Sequence, residues 1–361
     1  MRERLRALDL RLLVPMLLLV IMGTLTVYSA GRGTSQASLW LKQTLWNGFG
    51  LVALALVAAT HPQRTFRSSF PLYVLGILSL LAVLAVGHRI GGSQRWIVLA
   101  GLTFQPSELM KWLALLFVAH RLGGRNPQNV GAWELVGLSA LVFFPMLLVL
   151  KQPDLGMAVS FLPILVLIPL IKGLKVRWVA LLLVGVSLLG AVAWQKVLKP
   201  YQKQRVLTFL DPGADLQGKG YQINQSRIAI GAGGLLGQGF TSGSQTQLNF
   251  LPVKTTDFVF SVWAEERGFL GVLLALGLFG MVLARILDTA RVAKTATETY
   301  FCVGAAGIIA LHVFVNVGMV IGVLPNKGIV LPFFSAGGSS TLSYFLGLGV
   351  VMAVRYRAKL K

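Results

Sequence analysis

Asp257 is the first residue in this chain that could do chemistry. It lies in Leu251-Pro252-Val253-Lys254-Thr255-Thr256-Asp257-Phe258-Val259-Phe260, where a polar stretch meets a long apolar run. A carboxylate entering an apolar medium has a raised pKa, which suits a general base. Aspartate at such a junction is also a common helix N-cap, and from position alone the cap is favoured. Glu108 and Lys111 form a second constellation, three residues apart and so on one helix face, inside the apolar stretch Pro106–Arg121. Ionisable groups there either neutralise each other as an internal ion pair or line a polar cavity. Other chemistries lack their residues. His61, His88, His120 and His312 have no metal-binding spacing, and Cys302 is the only cysteine, so zinc sites and disulfides are not indicated. The run Gly231-Ala232-Gly233-Gly234-Leu235-Leu236-Gly237-Gln238-Gly239 lacks the Lys-Ser/Thr of a phosphate loop and reads as close packing of a loop on helices. Of the remaining acidic residues, Glu134 opens a helix, and Glu3, Asp9, Asp288 and Glu298 read as solvated.

The elements that must hold these residues are set by composition. The chain has 361 residues, 55% hydrophobic and 12% charged, about half the charge of a soluble domain. The expected fold is an all-α polytopic membrane protein of ten transmembrane helices. The spans are Leu12–Tyr28, Leu39–Ala59, Pro71–His88, Pro106–Arg121, Trp133–Leu150, Leu155–Lys172, Val176–Val197, Val262–Leu287, Thr299–Val323 and Phe333–Tyr356. On this layout eighteen Lys and Arg lie in short segments on the side of both termini, against six in the short loops opposite. Both termini are therefore expected in the cytoplasm. The net charge of +21 is thus mostly a topology signal, and no nucleic-acid partner is expected. A single membrane domain, 1–361, is expected to contain one large extracellular loop, 199–261, between helices 7 and 8. Its nine glycines between Gly213 and Gly243 alternate with enough aromatic and aliphatic residues to favour short pieces packed on the bundle over disorder.

Several stretches, in order, carry a family resemblance. They include Gln105-Pro106-Ser107-Glu108, Pro153-Asp154-Leu155-Gly156, Tyr201-Gln202-Lys203-Gln204-Arg205, Asp257-Phe258-Val259-Phe260, Glu265-Glu266, and Leu331-Pro332-Phe333 followed by Gly337-Gly338-Ser339-Ser340. Over nearly its whole length the chain resembles the SEDS family (shape, elongation, division and sporulation). The run Gln247-Leu248-Asn249-Phe250-Leu251-Pro252 resembles its elongation, RodA-like branch. The resemblance implies a peptidoglycan glycosyltransferase of the bacterial inner (cytoplasmic) membrane that polymerises lipid II into glycan strands. The implied partners are a class B penicillin-binding protein, which crosslinks the strands, and other membrane proteins of the elongation complex. It makes Asp257 the essential carboxylate and Glu108 and Lys111 a cavity-lining pair. It also implies substrate-binding roles for Arg95, Trp96, Arg205, Glu265, Ser339 and Ser340.

The chemistry agrees with this set. Inverting sugar transfer needs one base for the acceptor hydroxyl, while a pyrophosphate leaving group needs cations rather than an acid. No residue set demands a metal, although a divalent cation such as Mg2+ is compatible with the same neutralising work. Two departures from the family pattern, Val253-Lys254 before Thr255-Thr256 and Asn326-Lys327 before Gly328, add lysines that either bind substrate phosphate or are incidental solvated charges. The competing readings are a lipid II flippase, which needs polar groups through the full depth of the bundle, and a non-catalytic scaffold for the penicillin-binding protein.

Overall fold

A computed structural model describes residues 9–90, 93–99, 102–124, 132–173, 176–178, 180, 181, 184, 185, 219–325 and 328–360. Their helices are α1 Leu10–Gly31, α2 Leu39–Ala58, α3 Pro62–Arg67, α4 Ser69–Val86, α5 Pro106–Gly123, α6 Ala132–Lys151, α7 Leu155–Val159, α8 Leu162–Ile171, α9 Lys219–Ala232, α10 Ser244–Gln247, α11 Val259–Val292, α12 Ala296–Val320 and α13 Gly338–Lys359. Five of them (α1, α2, α4, α11 and α12) are long and apolar enough to cross a membrane. At 1.5 Å per residue, the 22 residues of α1 reach about 33 Å, enough for a hydrocarbon core of about 30 Å.

The outward faces identify the solvent. On α1, Leu10, Val14, Leu18, Ile21 and Leu25 recur at helical spacing and are all exposed, while Leu12, Met16 and Leu19 on the opposite side are buried. On α2, Leu41, Leu45, Phe49, Val52 and Leu56 do the same. A helix apolar on both faces, with the outer one unburied, belongs in lipid. α12 is the interior helix, with 67% of its apolar stretch buried against 28% for α2. It starts at a capping box, where Thr295 and Glu298 each satisfy the other's backbone N–H. Because lipid gives no hydrophobic drive between helices, small residues bring them close. A Cβ at Gly50 would fall 2.4 Å from the Phe345 ring, and one at Gly349 would fall 3.0 Å from the Leu54 carbonyl, so α2 and α13 pack nearly backbone to backbone.

Several sequence expectations change here. The fold is mostly helical but not all-α. Between α4 and α5 an antiparallel three-stranded meander forms from β1 His88–Ile90, β2 Ser93–Leu99 and β3 Leu102–Phe104, in the order β1-β2-β3. Trp96, Ile97 and Val98 favour a strand over a loop. The expected span Leu155–Lys172 is two helices, α7 and α8, separated at Ser160 and Phe161. The last span begins later than Phe333, because Phe333 has φ +63° and Gly337 is the extended cap of α13. Most of the span Val176–Val197, and loop residues 199–218 including Arg205, lie outside the described residues.

Two acidic residues expected in solvent are buried. Asp9 accepts two bonds from Arg285 (2.6 and 3.0 Å), tying the start of α1 to α11. Burial pushes the Asp9 carboxyl up, but the Arg285 hydrogen bonds and charge outweigh it and hold the group below 3.8. Glu298 pairs with Arg357 at the end of α13. Asp288 keeps its side chain 41% exposed and is shared by Arg285 and Arg355.

Candidate functional site

Apart from Glu265, and from Arg205 outside the described residues, the residues flagged in the sequence fall into groups joined through one segment, 328–340. Asp257 is half-buried just before α11. The residue at the cap position is Phe258, one place later, so the helix-cap reading of Asp257 does not hold. Three consecutive residues of its strand of loop are tied down. Thr255 donates its hydroxyl to Gln36 Oε1 (3.0 Å) and its carbonyl accepts from the Ala336 N–H (3.0 Å). The Thr256 carbonyl accepts from Ser335 Oγ (2.7 Å), which itself accepts from the Leu331 N–H (2.9 Å). The Asp257 carbonyl accepts from Asn316 Nδ2 (3.1 Å). Gly328 has φ +63°, and a Cβ there would lie 3.6 Å from Asp257 Oδ2, so its bare backbone faces the carboxylate.

The same segment reaches the hairpin. Ser339 Oγ accepts from the Gln105 N–H (2.9 Å) at the start of α5 and donates to the Thr103 carbonyl in β3 (3.2 Å). Asp154, buried at the start of α7, accepts from Gln105 Nε2 (2.9 Å), the Met157 N–H (3.0 Å) and Arg95 Nη1 (2.8 Å). Arg95 in turn lies 5.9 Å from the Trp96 ring centroid. Ser340 is buried beside Ser339, and its carbonyl accepts from Ser343 Oγ.

One turn along α5, Glu108 and Lys111 form an ion pair at 2.6 Å, with the lysine fully buried. The Lys111 ammonium also donates to Tyr344 Oη (3.3 Å) and stands 4.4 Å from that ring's centroid. Tyr344 packs edge-on against His312 (5.6 Å), whose Nδ1 bonds the Val330 carbonyl. Contacts therefore run without a gap from the buried ion pair back to the segment beside Asp257.

Glu265 sits apart from these. It is fully buried, and its carboxylate accepts from the N–H groups of Gln245 (2.7 Å) and Thr246 (3.1 Å) and from the Thr246 hydroxyl (2.6 Å), holding α10. Its neighbour Glu266 accepts from Ser29 Oγ and from the Thr241 N–H (3.2 Å). Lys254 is neither a solvated charge nor open to a phosphate. It is buried, donating to the Thr246 carbonyl (2.6 Å) and Asn249 Oδ1 (2.7 Å), and burial lowers its pKa against the opposing effect of Glu265.

The glycine run packs as expected, and for a specific reason. α11 is broken at Gly268 (φ +63°, ψ −166°), which frees backbone groups above and below the break. The Gln238 and Gly239 N–H groups donate to the Glu265 and Glu266 carbonyls, and the Phe269 and Leu270 N–H groups donate to the Gly234 and Leu235 carbonyls. A Cβ at Gly233 would lie 2.1 Å from the Ala264 carbonyl, so only glycine permits the approach. Among the described residues no group of three or more His, Cys, Asp or Glu side chains is placed to hold a metal.

A family model described as FTSW_RODA_SPOVE, cell cycle protein, matches residues 4–360. The chain belongs to this family. It is 37% identical to the peptidoglycan glycosyltransferase MrdB of Escherichia coli K12, over 98% of this chain and 95% of that one. To the probable peptidoglycan glycosyltransferase FtsW of Coxiella burnetii it is 35% identical, over 97% of each. Among solved structures, one described as "Structural coordination of polymerization and crosslinking by a peptidoglycan synthase complex" superposes with a TM-score of 0.85 at 35% identity, covering 98% of this chain and 99% of the other. The rod shape determining protein RodA of Thermus thermophilus gives 0.74 at 31% identity, covering 98% of each.

Sequence reasoning missed Asp154, Ser335, Asn316 and Tyr344. Asp154 lies in the Pro153-Asp154-Leu155-Gly156 stretch, and its partners Arg95 and Gln105 are 59 and 49 residues away in sequence. Asn316 had a readable signal, a lone amide in an otherwise apolar span.

Proposed function

We propose that this chain is a lipid II-dependent, inverting peptidoglycan glycosyltransferase of the bacterial cytoplasmic membrane that builds glycan strands during elongation. The observation that carries this reading is Asp257, a half-buried carboxylate whose backbone is fixed at three successive residues, in a chain similar over its whole length to peptidoglycan glycosyltransferases. In this reading one SEDS-type unit over 1–361 crosses the membrane ten times with both termini inside, and 199–261 is its external loop. Asp257 accepts the proton of the acceptor sugar hydroxyl as that oxygen attacks the anomeric carbon. The lipid pyrophosphate leaves as an anion and meets positive charge instead of an acid. Lys111 and the loop arginine Arg205 supply that charge, Glu108 holds Lys111, and Arg95, Trp96, Ser339 and Ser340 shape the substrate site. A class B penicillin-binding protein crosslinks the product.

Purified protein given lipid II is expected to yield long glycan that a muramidase digests. Asp257→Asn should reduce the rate by at least about 100-fold while the protein stays folded. Full polymerisation by the Asn variant would refute the base. Movement of lipid II without polymer would make the protein a flippase, and neither activity would leave a scaffold.

A further inference from the structure

Asn316 lies in the apolar interior helix α12, fully buried, one turn after His312. Its amide NH2 donates to two carbonyls on different chain segments, Asp257 O at 3.1 Å and Ile329 O at 2.8 Å. Both partners are acceptors only, so the orientation of the amide is fixed by chemistry. His312 Nδ1 takes the next carbonyl, Val330 O, at 3.3 Å. Two side chains at i and i+4 thus satisfy carbonyls that would otherwise be stranded among apolar helices. Of the bonds that tie residues 255–257 to their surroundings, the one from Asn316 acts at Asp257 itself and also fixes the segment carrying Gly328, which faces the carboxylate. Asn316 Oδ1 has no partner among the described residues. With that oxygen unpaired, what the side chain gives its surroundings is its two donated bonds.

The geometry points to Asn316 as a positioning residue for glycosyl transfer: its two donated bonds lock the Asp257 backbone to the 328–330 segment and so fix where the carboxylate meets the acceptor hydroxyl. It touches no reacting atom, and its effect rests on the reading of Asp257 as base. A base displaced by about 1 Å loses on the order of 100-fold in rate.

The test uses the full-length protein in detergent or nanodiscs with lipid II, reading kcat and KM separately, with Asn316→Leu, Asn316→Asp and Asp257→Asn side by side. Leucine keeps the branched skeleton of four heavy atoms and removes both donors. It should lower kcat on the order of 100-fold and leave KM within about twofold. Aspartate can donate only when protonated, so its kcat relative to wild type should be higher near pH 6 than near pH 9, where the carboxylate faces two carbonyls. Among the described residues, the titratable groups linked to it are Asp257, whose carbonyl it bonds, and His312 one turn before it, with Tyr344 and the Glu108–Lys111 pair beyond His312. All keep their identity in both Asn316 variants, and comparing each variant with wild type and with the uncharged Asn316→Leu at each pH separates the titration they share from that of the new carboxyl. A folded Asn316→Leu with kcat within about threefold of wild type overturns the proposal, as does a loss confined to KM. If the leucine variant fails to fold, the Asn316→Asp profile decides, and a relative kcat equally low at both pH values overturns it. An active Asp257→Asn would instead sink the base, whereas an active Asn316→Leu beside a dead Asp257→Asn sinks only the positioning role.

Discussion

The Glu108–Lys111 pair offers a test that separates structural from catalytic work. The ammonium is fully buried, 2.6 Å from Glu108 Oε2 and 4.4 Å from the Tyr344 ring centroid. At an effective dielectric of about 20, Coulomb's law gives about 6 kcal/mol of attraction at that distance. Desolvating both ions offsets most of this, so the pair is nearly neutral in net terms against a well-packed apolar pair. Removing one partner is different, because it strands a charge: Lys111→Met leaves the Glu108 carboxylate buried, and Glu108→Gln leaves the ammonium with little beyond Tyr344. Each single change should destabilise the protein by about 3–5 kcal/mol. The double variant Glu108→Gln/Lys111→Met should recover most of that loss, giving a coupling energy of similar size. Apparent melting in detergent, at matched heating rate, reads the stability arm. Glycan synthesis on lipid II reads the other: the double variant should stay inactive if Lys111 meets the pyrophosphate, and regain activity if the pair only neutralises itself. Wild-type melting of Lys111→Met alone would refute the reasoning, since it would mean that no buried charge had been left behind.

Other consequences are as direct. Gly268→Ala puts a side chain at φ +63° with its Cβ 2.3 Å from the Gly237 nitrogen; the backbone strain alone costs about 1–3 kcal/mol, and hydrogen exchange at Gln238 and Gly239 should accelerate. Asp154→Ala removes the acceptor for Arg95 and Gln105 and should lower stability by about 1–3 kcal/mol, with a larger fall in activity as the hairpin loosens, measured by melting and by glycan yield. The Asp9 carboxyl has a folded pKa below 3.8, so the stability it contributes is complete above that value and lost as pH falls through the lowered folded pKa. Asp9→Asn should therefore lose about 1–3 kcal/mol at neutral pH and show a shallower acid limb in its pH–melting curve.

What was legible in the sequence was whatever a bilayer or a charge makes expensive. The helical runs, the ion pair three residues apart, and a carboxylate at the mouth of a span all announce themselves by hydropathy and spacing. Asp9 and Glu298 misled because their partners, Arg285 and Arg357, are distant in sequence and only the fold brings them near. The meander around Trp96 was hidden by its length, since its longest strand has seven residues. Nothing in the sequence closes off Lys254, because the groups that bury it, Thr246 O and Asn249 Oδ1, belong to the four-residue α10 and the turn after it, too short for a periodic signal. Ser335 and Asn316 act on main-chain carbonyls, and a carbonyl has no letter in a sequence.

The stitching of the glycine run to α11 also sets a clock on synthesis. The Gly234 and Leu235 carbonyls receive their N–H partners from Phe269 and Leu270, which are made 35 residues later. At about 5–20 residues per second, that delay is about 2–7 s. During it the loop has no helix to dock on, and water must hold its polar backbone. The seam closes only once the chain beyond Gly268 has emerged, so this loop is among the last parts of its region to take its final shape.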